Sequence, residues 1–126
     1  MNKTECISGK APKAIGPYSQ GIRTGEEIYV SGQLPVDAET GLLGDTIEKQ
    51  VELCLKNIDA ILQSEGLTMA NVVKVNIFTT DLSLFSRINV VYARFFQAPY
   101  PARSTIQVAG LPANATVEIE CIASTN

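Results

Sequence analysis

From Ile47 to Gly66 the apolar residues Ile47, Val51, Cys54, Leu55, Ile58 and Leu62 return every three or four positions. That spacing predicts one amphipathic helix, with Gly66 as its stop and Asp45 and Glu48 spaced as a capping box at its start. Between Val72 and Thr80 the period falls to two. Val73, Val75 and Ile77 alternate with Lys74, Asn76 and Phe78, and the β-branched character favours a strand. Helical spacing returns at Leu84, Phe85, Ile88, Tyr92, Phe95 and Phe96, with Ser83 as the N-cap candidate and Pro99 and Pro101 preventing continuation. Two hairpins are predicted. Residues 18–24 and 27–32 flank Gly25-Glu26, while 103–108 and 116–123 flank the turn-rich segment Gly110 to Asn114.

The order ββαβαββ, with one apolar stripe per helix, predicts an α+β fold in which two helices cover one face of a single mixed sheet. Val73, Val75, Ile77, Ile106, Val108, Val117, Ile119 and Cys121 are expected to face the helices. The opposite face would show Tyr29, Phe78, Thr105, Gln107, Glu118, Glu120 and Ile122, a mixture suited to a subunit interface. No low-complexity tract, repeat or linker divides the chain, so residues 1–126 are expected to form one domain.

Composition narrows the chemistry. Ten Lys and Arg against thirteen Asp and Glu give a net charge of -3, which disfavours nucleic acid as a partner. Histidine is absent, so histidine-based relays and histidine-ligated zinc are excluded. Three cysteines in no C-x-x-C spacing predict free thiols and a reducing compartment, taken here as the cytoplasm. Met1 to Lys13 lacks the apolar run of a secretory signal, and no segment has the length and apolarity of a membrane span. Asp37, Glu39 and Asp45 do not have the spacing of a calcium loop, and the glycines form no nucleotide-binding motif, turns explaining them better. Neither a metal nor a cofactor is predicted.

A turn centred near Pro112 and Ala113 would set Arg103, Thr105 and Gln107 on one sheet face with Glu118 and Glu120. A guanidinium beside two carboxylates is either an anion site with an adjacent acid or base, or a structural cross-strand ion pair. Tyr18 after Gly16-Pro17 and Asn89 in the second helix each have a structural reading, as core filler and as a backbone bridge.

Ile15-Gly16-Pro17-Tyr18-Ser19-Gln20-Gly21 and Val30-Ser31-Gly32-Gln33-Leu34-Pro35 resemble the opening of the RidA (YjgF-like) family. Asn89-Val90-Val91-Tyr92 with Phe95-Phe96 is similar to its second helix. Pro101-Ala102-Arg103-Ser104, Val108-Ala109, Leu111-Pro112 and Val117-Glu118-Ile119-Glu120 resemble its C-terminal signature, so the likeness runs nearly the whole chain. The resemblance implies a chorismate-mutase-like homotrimer with clefts between subunits. It also implies hydrolysis of 2-imino acids, or their enamine tautomers, to 2-keto acids and ammonia. Arg103 would then hold the substrate carboxylate and Glu118 would handle water and protons. Tyr18, Ser31, Asn89 and the backbone of Thr105 would line the cleft. Thr105 departs from the cysteine common in the family, which removes any thiol-based behaviour at that position. The alternative is a trimer that binds keto acids or a partner without turnover.

Overall fold

The computed structural model describes residues 2–126. Strands β1 (Thr4–Cys6), β2 (Gly21–Thr24) and β3 (Glu27–Gln33) come first, followed by helix α1 (Ile47–Gln63). Strand β4 (Val72–Thr79), helix α2 (Phe85–Tyr92) and strands β5 (Ala102–Gln107) and β6 (Val117–Ser124) complete the order. The six strands form one mixed sheet in the order β1-β2-β3-β6-β4-β5. This is the expected α+β arrangement with one strand more than the pattern predicts. β1 is three residues long, too short to display an alternation, and it is recognised only through its pairing with β2.

The predicted helix-facing stripe of α1 is buried throughout, and Val51, Cys54, Leu55 and Leu62 are fully inaccessible. Their contacts with Ile28, Ile77, Val117 and Ile119 make the core between helix and sheet. The cap differs by one residue from expectation. Thr46, in extended conformation, accepts a hydrogen bond from the Lys49 amide through its side chain, so Asp45 and Glu48 do not form the capping box. Ahead of α2, Asp81 rather than Ser83 caps the chain by accepting from the Ser83 amide, and a short 3₁₀ turn over Leu82–Leu84 leads into the helix. The first hairpin forms as predicted, with Gly25 at φ +59° in its turn.

The second predicted hairpin does not form. β5 pairs only with β4, in parallel, with Val75 opposite Arg103 and Ile77 opposite Thr105. β6 lies between β3 and β4, antiparallel to both. The physical reason is the β4–α2–β5 connection: a crossover helix returns the chain parallel to the strand it left, so β5 takes the outer side of β4. Residues 108–116 then carry the chain over β4 to its other side. Ala113 and Asn114, both at positive φ, help turn it.

This topology corrects the predicted faces. Arg103, Thr105 and Gln107 share a side with Val75, Ile77 and Thr79, which face the helices, whereas Phe78 lies opposite Glu118 and Asn76 opposite Glu120 on the open side. Ile106 and Val73, expected inside, are 49% and 48% exposed. A register shift between Val72 and Lys74 turns Val73 outward. Tyr29, Phe78, Glu118, Glu120 and Ile122 occupy the open face as predicted; Thr105 and Gln107 do not.

Candidate active site

Two groups of candidate residues lie on opposite sides of the sheet. On the helix side, Arg103 emerges from the edge strand β5 against α2, its guanidinium carbon 4.7 Å from the Tyr92 ring centroid and 5.4 Å from that of Phe85. Asn89, Tyr92, Ala93, Tyr100, Pro101 and Arg103 line a cleft of about 300 Å³. Arg103 forms no ion pair and no well-aligned hydrogen bond among the described residues, though its charge acts on the neighbouring Tyr92 hydroxyl. Three buried polar atoms are also without partners: Asn89 Oδ1, Tyr92 Oη and Thr105 Oγ1. Buried polar atoms are nearly always satisfied, so a half-buried free arginine beside the orphaned Asn89 and Thr105 oxygens makes this cleft a candidate binding site.

On the open side, Glu118 reaches over β3 at Gly32. A Cβ at Gly32 would overlap Glu118 Oε2 and stand 2.9 Å from its Cδ, so only glycine leaves the carboxylate in place. The register shift between Val30 and Gln33 falls at the same point. Burial, and then the charge of Glu120, raise the Glu118 carboxyl above the usual glutamate range. Glu120 itself accepts a 3.0 Å hydrogen bond from Asn76 Nδ2. Tyr18, 52% exposed, lies in a hollow with Gly32, Gln33 and Ala113, and its hydroxyl accepts from the Ile15 amide at 3.2 Å. The Ser31 hydroxyl is committed to the Ser19 carbonyl at 2.5 Å, while its residue lines a neighbouring hollow with Tyr29, Lys74, Asn76 and Glu120.

Arg103, Asn89 and Thr105 therefore assemble on one side and Glu118, Tyr18 and Ser31 on the other. Within one chain the sheet separates them, and the cross-strand ion pair between Arg103 and Glu118 is excluded. Gly32, Phe85 and Tyr92 are additions to the site. Gly32 reads as a turn glycine in the sequence, yet it lies inside β3; Phe85 and Tyr92 are indistinguishable from core positions by spacing alone. The three thiols are all buried and unpaired. Desolvation raises Cys6 to about 11 and Cys121 to about 12, and pushes Cys54 up as well, so none is a ready nucleophile near neutrality. Among the described residues no group of three or more Cys, Asp or Glu side chains is gathered as metal ligands.

Gly32→Ala is expected to retain the fold while displacing the Glu118 carboxylate. Its effect would appear as a drop of about tenfold or more in turnover with an unchanged melting profile. An unaltered rate would dissociate the carboxylate's placement from catalysis.

Fold and site together define an α+β protein whose open sheet face carries a raised carboxylate and whose helix side carries a free arginine. A family described as Endoribonuclease L-PSP matches residues 8–125. The chain is 48% identical over 124 residues to the chloroplastic Reactive Intermediate Deaminase A of Arabidopsis thaliana, covering 97% of this chain and 66% of that protein. It is 41% identical over 126 residues to the 2-iminobutanoate/2-iminopropanoate deaminase of Salmonella typhimurium, covering 98% of each. The crystal structure of Escherichia coli TdcF with bound serine superposes with a TM-score of 0.94 at 42% identity, covering 98% of this chain and 99% of that one. This chain belongs to that family, the one its RidA-like motifs resemble.

Proposed function

We propose that this chain is an imine deaminase acting on small 2-imino acids, 2-iminopropanoate and 2-iminobutanoate among them, in clefts between the subunits of a homotrimer. The observation that carries the reading is the unpaired Arg103 on one sheet side and the raised Glu118 carboxylate on the other. A second copy, docked on the open face, can bring its Glu118, Tyr18 and Ser31 to the first copy's Arg103, Asn89 and Thr105. The mixed apolar and polar open face suits such docking, with Tyr29 42% exposed on it. The Salmonella relative is named for this reaction, and TdcF holds serine, itself a small 2-amino carboxylate.

In the mechanism, Arg103 takes the substrate carboxylate through its planar N–H fork. Thr105, on the edge strand, offers backbone groups that no further strand occupies. Glu118 removes a proton from water as its oxygen bonds to C2 of the protonated imine. The resulting carbinolamine carries hydroxyl and amine on C2. Glu118 returns the proton to nitrogen; as the C–N bond breaks and ammonia leaves, the same carboxylate takes the hydroxyl proton, so the carbonyl forms, and that proton then passes to the departing ammonia as ammonium. Imines hydrolyse readily in water, so orientation plus general acid-base help suffices. The reaction thus needs neither metal nor cofactor.

An imine generated in situ by an amino-acid oxidase or a serine dehydratase, followed by keto acid appearance, tests the reading. Acceleration proportional to added protein is expected. Binding of 2-oxobutanoate without acceleration would instead make the chain a passive keto-acid-binding trimer. Cleavage of RNA, the activity in the family's description, is disfavoured here by the net charge of -3 and the absence of histidine. We further infer that the chain acts as one domain in a reducing compartment, the cytoplasm. No helix among the described residues is long and apolar enough to cross a membrane, and one relative is chloroplastic by name.

A further inference from the structure

Arg103 is held without an acid. Phe85 and Tyr92 stand seven residues apart on α2, about two turns or 10.5 Å of helical rise, so both rings project from one helix face. The guanidinium carbon of Arg103 reaches both, 5.4 Å from the Phe85 centroid and 4.7 Å from the Tyr92 centroid. Behind Tyr92 lies Phe96, with ring centroids 4.5 Å apart at 32°, which limits where the Tyr92 ring can swing. Tyr92 is 6% exposed, Phe85 40%.

An acidic partner would also fix a guanidinium, but it would occupy the N–H groups that a substrate carboxylate needs. An aromatic face attracts the cation through its π cloud and leaves that donor edge open. The α2 sequence Phe85 to Tyr92 contains no Asp or Glu, so nothing on the packed helix competes for the charge. Asn89 lies in the same row of the helix, between the two rings, with its carbonyl oxygen buried and unpartnered.

We propose that Phe85 and Tyr92 form an aromatic clamp that positions Arg103, presenting its donor edge to the cleft and so setting the affinity for the substrate carboxylate. The inference rests on the deaminase reading and assigns the two rings as positioning residues, acting through Arg103. Burial also lifts the Tyr92 phenol above its usual range, so the ring stays neutral at the arginine. The clamp further accounts for arginine at this position: an ammonium has no plane to lie along two rings.

The test compares Tyr92→Leu, Phe85→Leu and Tyr92→Phe by steady-state kinetics on 2-iminobutanoate and by calorimetric binding of 2-oxobutanoate. Each leucine variant is expected to raise KM about five- to tenfold with kcat within about twofold, and to weaken 2-oxobutanoate by the same factor. Tyr92→Phe, which keeps the ring, is expected to restore KM to within about twofold of wild type. Phe85 is partly exposed, so its leucine variant keeps the test open if Tyr92→Leu does not fold. Unchanged KM in the leucine variants, or a Tyr92→Phe loss equal to that of Tyr92→Leu, would overturn the clamp alone. Wild-type protein that neither turns over the imine nor binds 2-oxobutanoate would remove the deaminase reading, and the clamp with it.

Discussion

Arg103→Ala is expected to lower kcat/KM on 2-iminobutanoate by about two to four orders of magnitude, with most of the loss in KM. The size follows from two charge-assisted hydrogen bonds of about 1.5 to 3 kcal/mol each between the guanidinium and the substrate carboxylate. The division follows from the chemistry, because the carboxylate keeps its charge while C2 changes from imine to carbinolamine. An interaction equally strong in ground and transition states registers as affinity. Arg103→Lys preserves the charge but not the fork or the stacking on Tyr92 and Phe85, so it should recover only a small part of the loss. Folding should be little affected, since Arg103 has no ion pair or well-aligned hydrogen bond among the described residues to abandon. Saturation curves for the imine, with 2-oxobutanoate as competitor, measure both quantities. A lysine variant equal to wild type would mean that charge alone, without directed hydrogen bonds, holds the ligand.

Much of this architecture was legible in hydropathy alone. Both helices and five strands follow from changes in period, and the buried stripe of α1 coincides with Ile47, Val51, Cys54, Leu55, Ile58 and Leu62. Pairing was not legible, because alternation specifies which residues share a side of their own strand and leaves the neighbour open. Arg103 to Gln107 thus reads as half of a hairpin until the crossover through α2 places it beside β4. The consequence reaches the site, since one misassigned neighbour puts Arg103 and Glu118 on a common face. Family motifs single out the candidate residues, but their separation by the sheet is a property of the fold. Gly32 shows the same limit locally: its role depends on a carboxylate far along the chain, to which no local pattern refers.

Mixing two impaired variants is expected to restore activity, read with imine well below the KM of either variant. Arg103→Ala lacks the anchor, and Glu118→Gln lacks the base, a loss of about 10² to 10⁴ in kcat. If each cleft joins Arg103 of one subunit to Glu118 of the next around a ring of three, a subunit of each kind makes two seams of opposite composition. One seam combines both substitutions and the other combines neither. Every mixed trimer, whether two-to-one or one-to-two, therefore contains one intact cleft among its three. Random assembly at equal amounts leaves about three quarters of trimers mixed, so co-refolded protein should reach about one quarter of the wild-type rate. The restored rate should also keep the acid limb of wild type. Burial raises the Glu118 pKa, so protonation silences the base at a pH above the ordinary glutamate range, and the rate falls as pH falls through that value. Refolding each variant separately before mixing gives the control, in which no intact seam forms. A site built within one chain would give no recovery in either case, and with it the division of Arg103 and Glu118 between neighbouring subunits would be disproved.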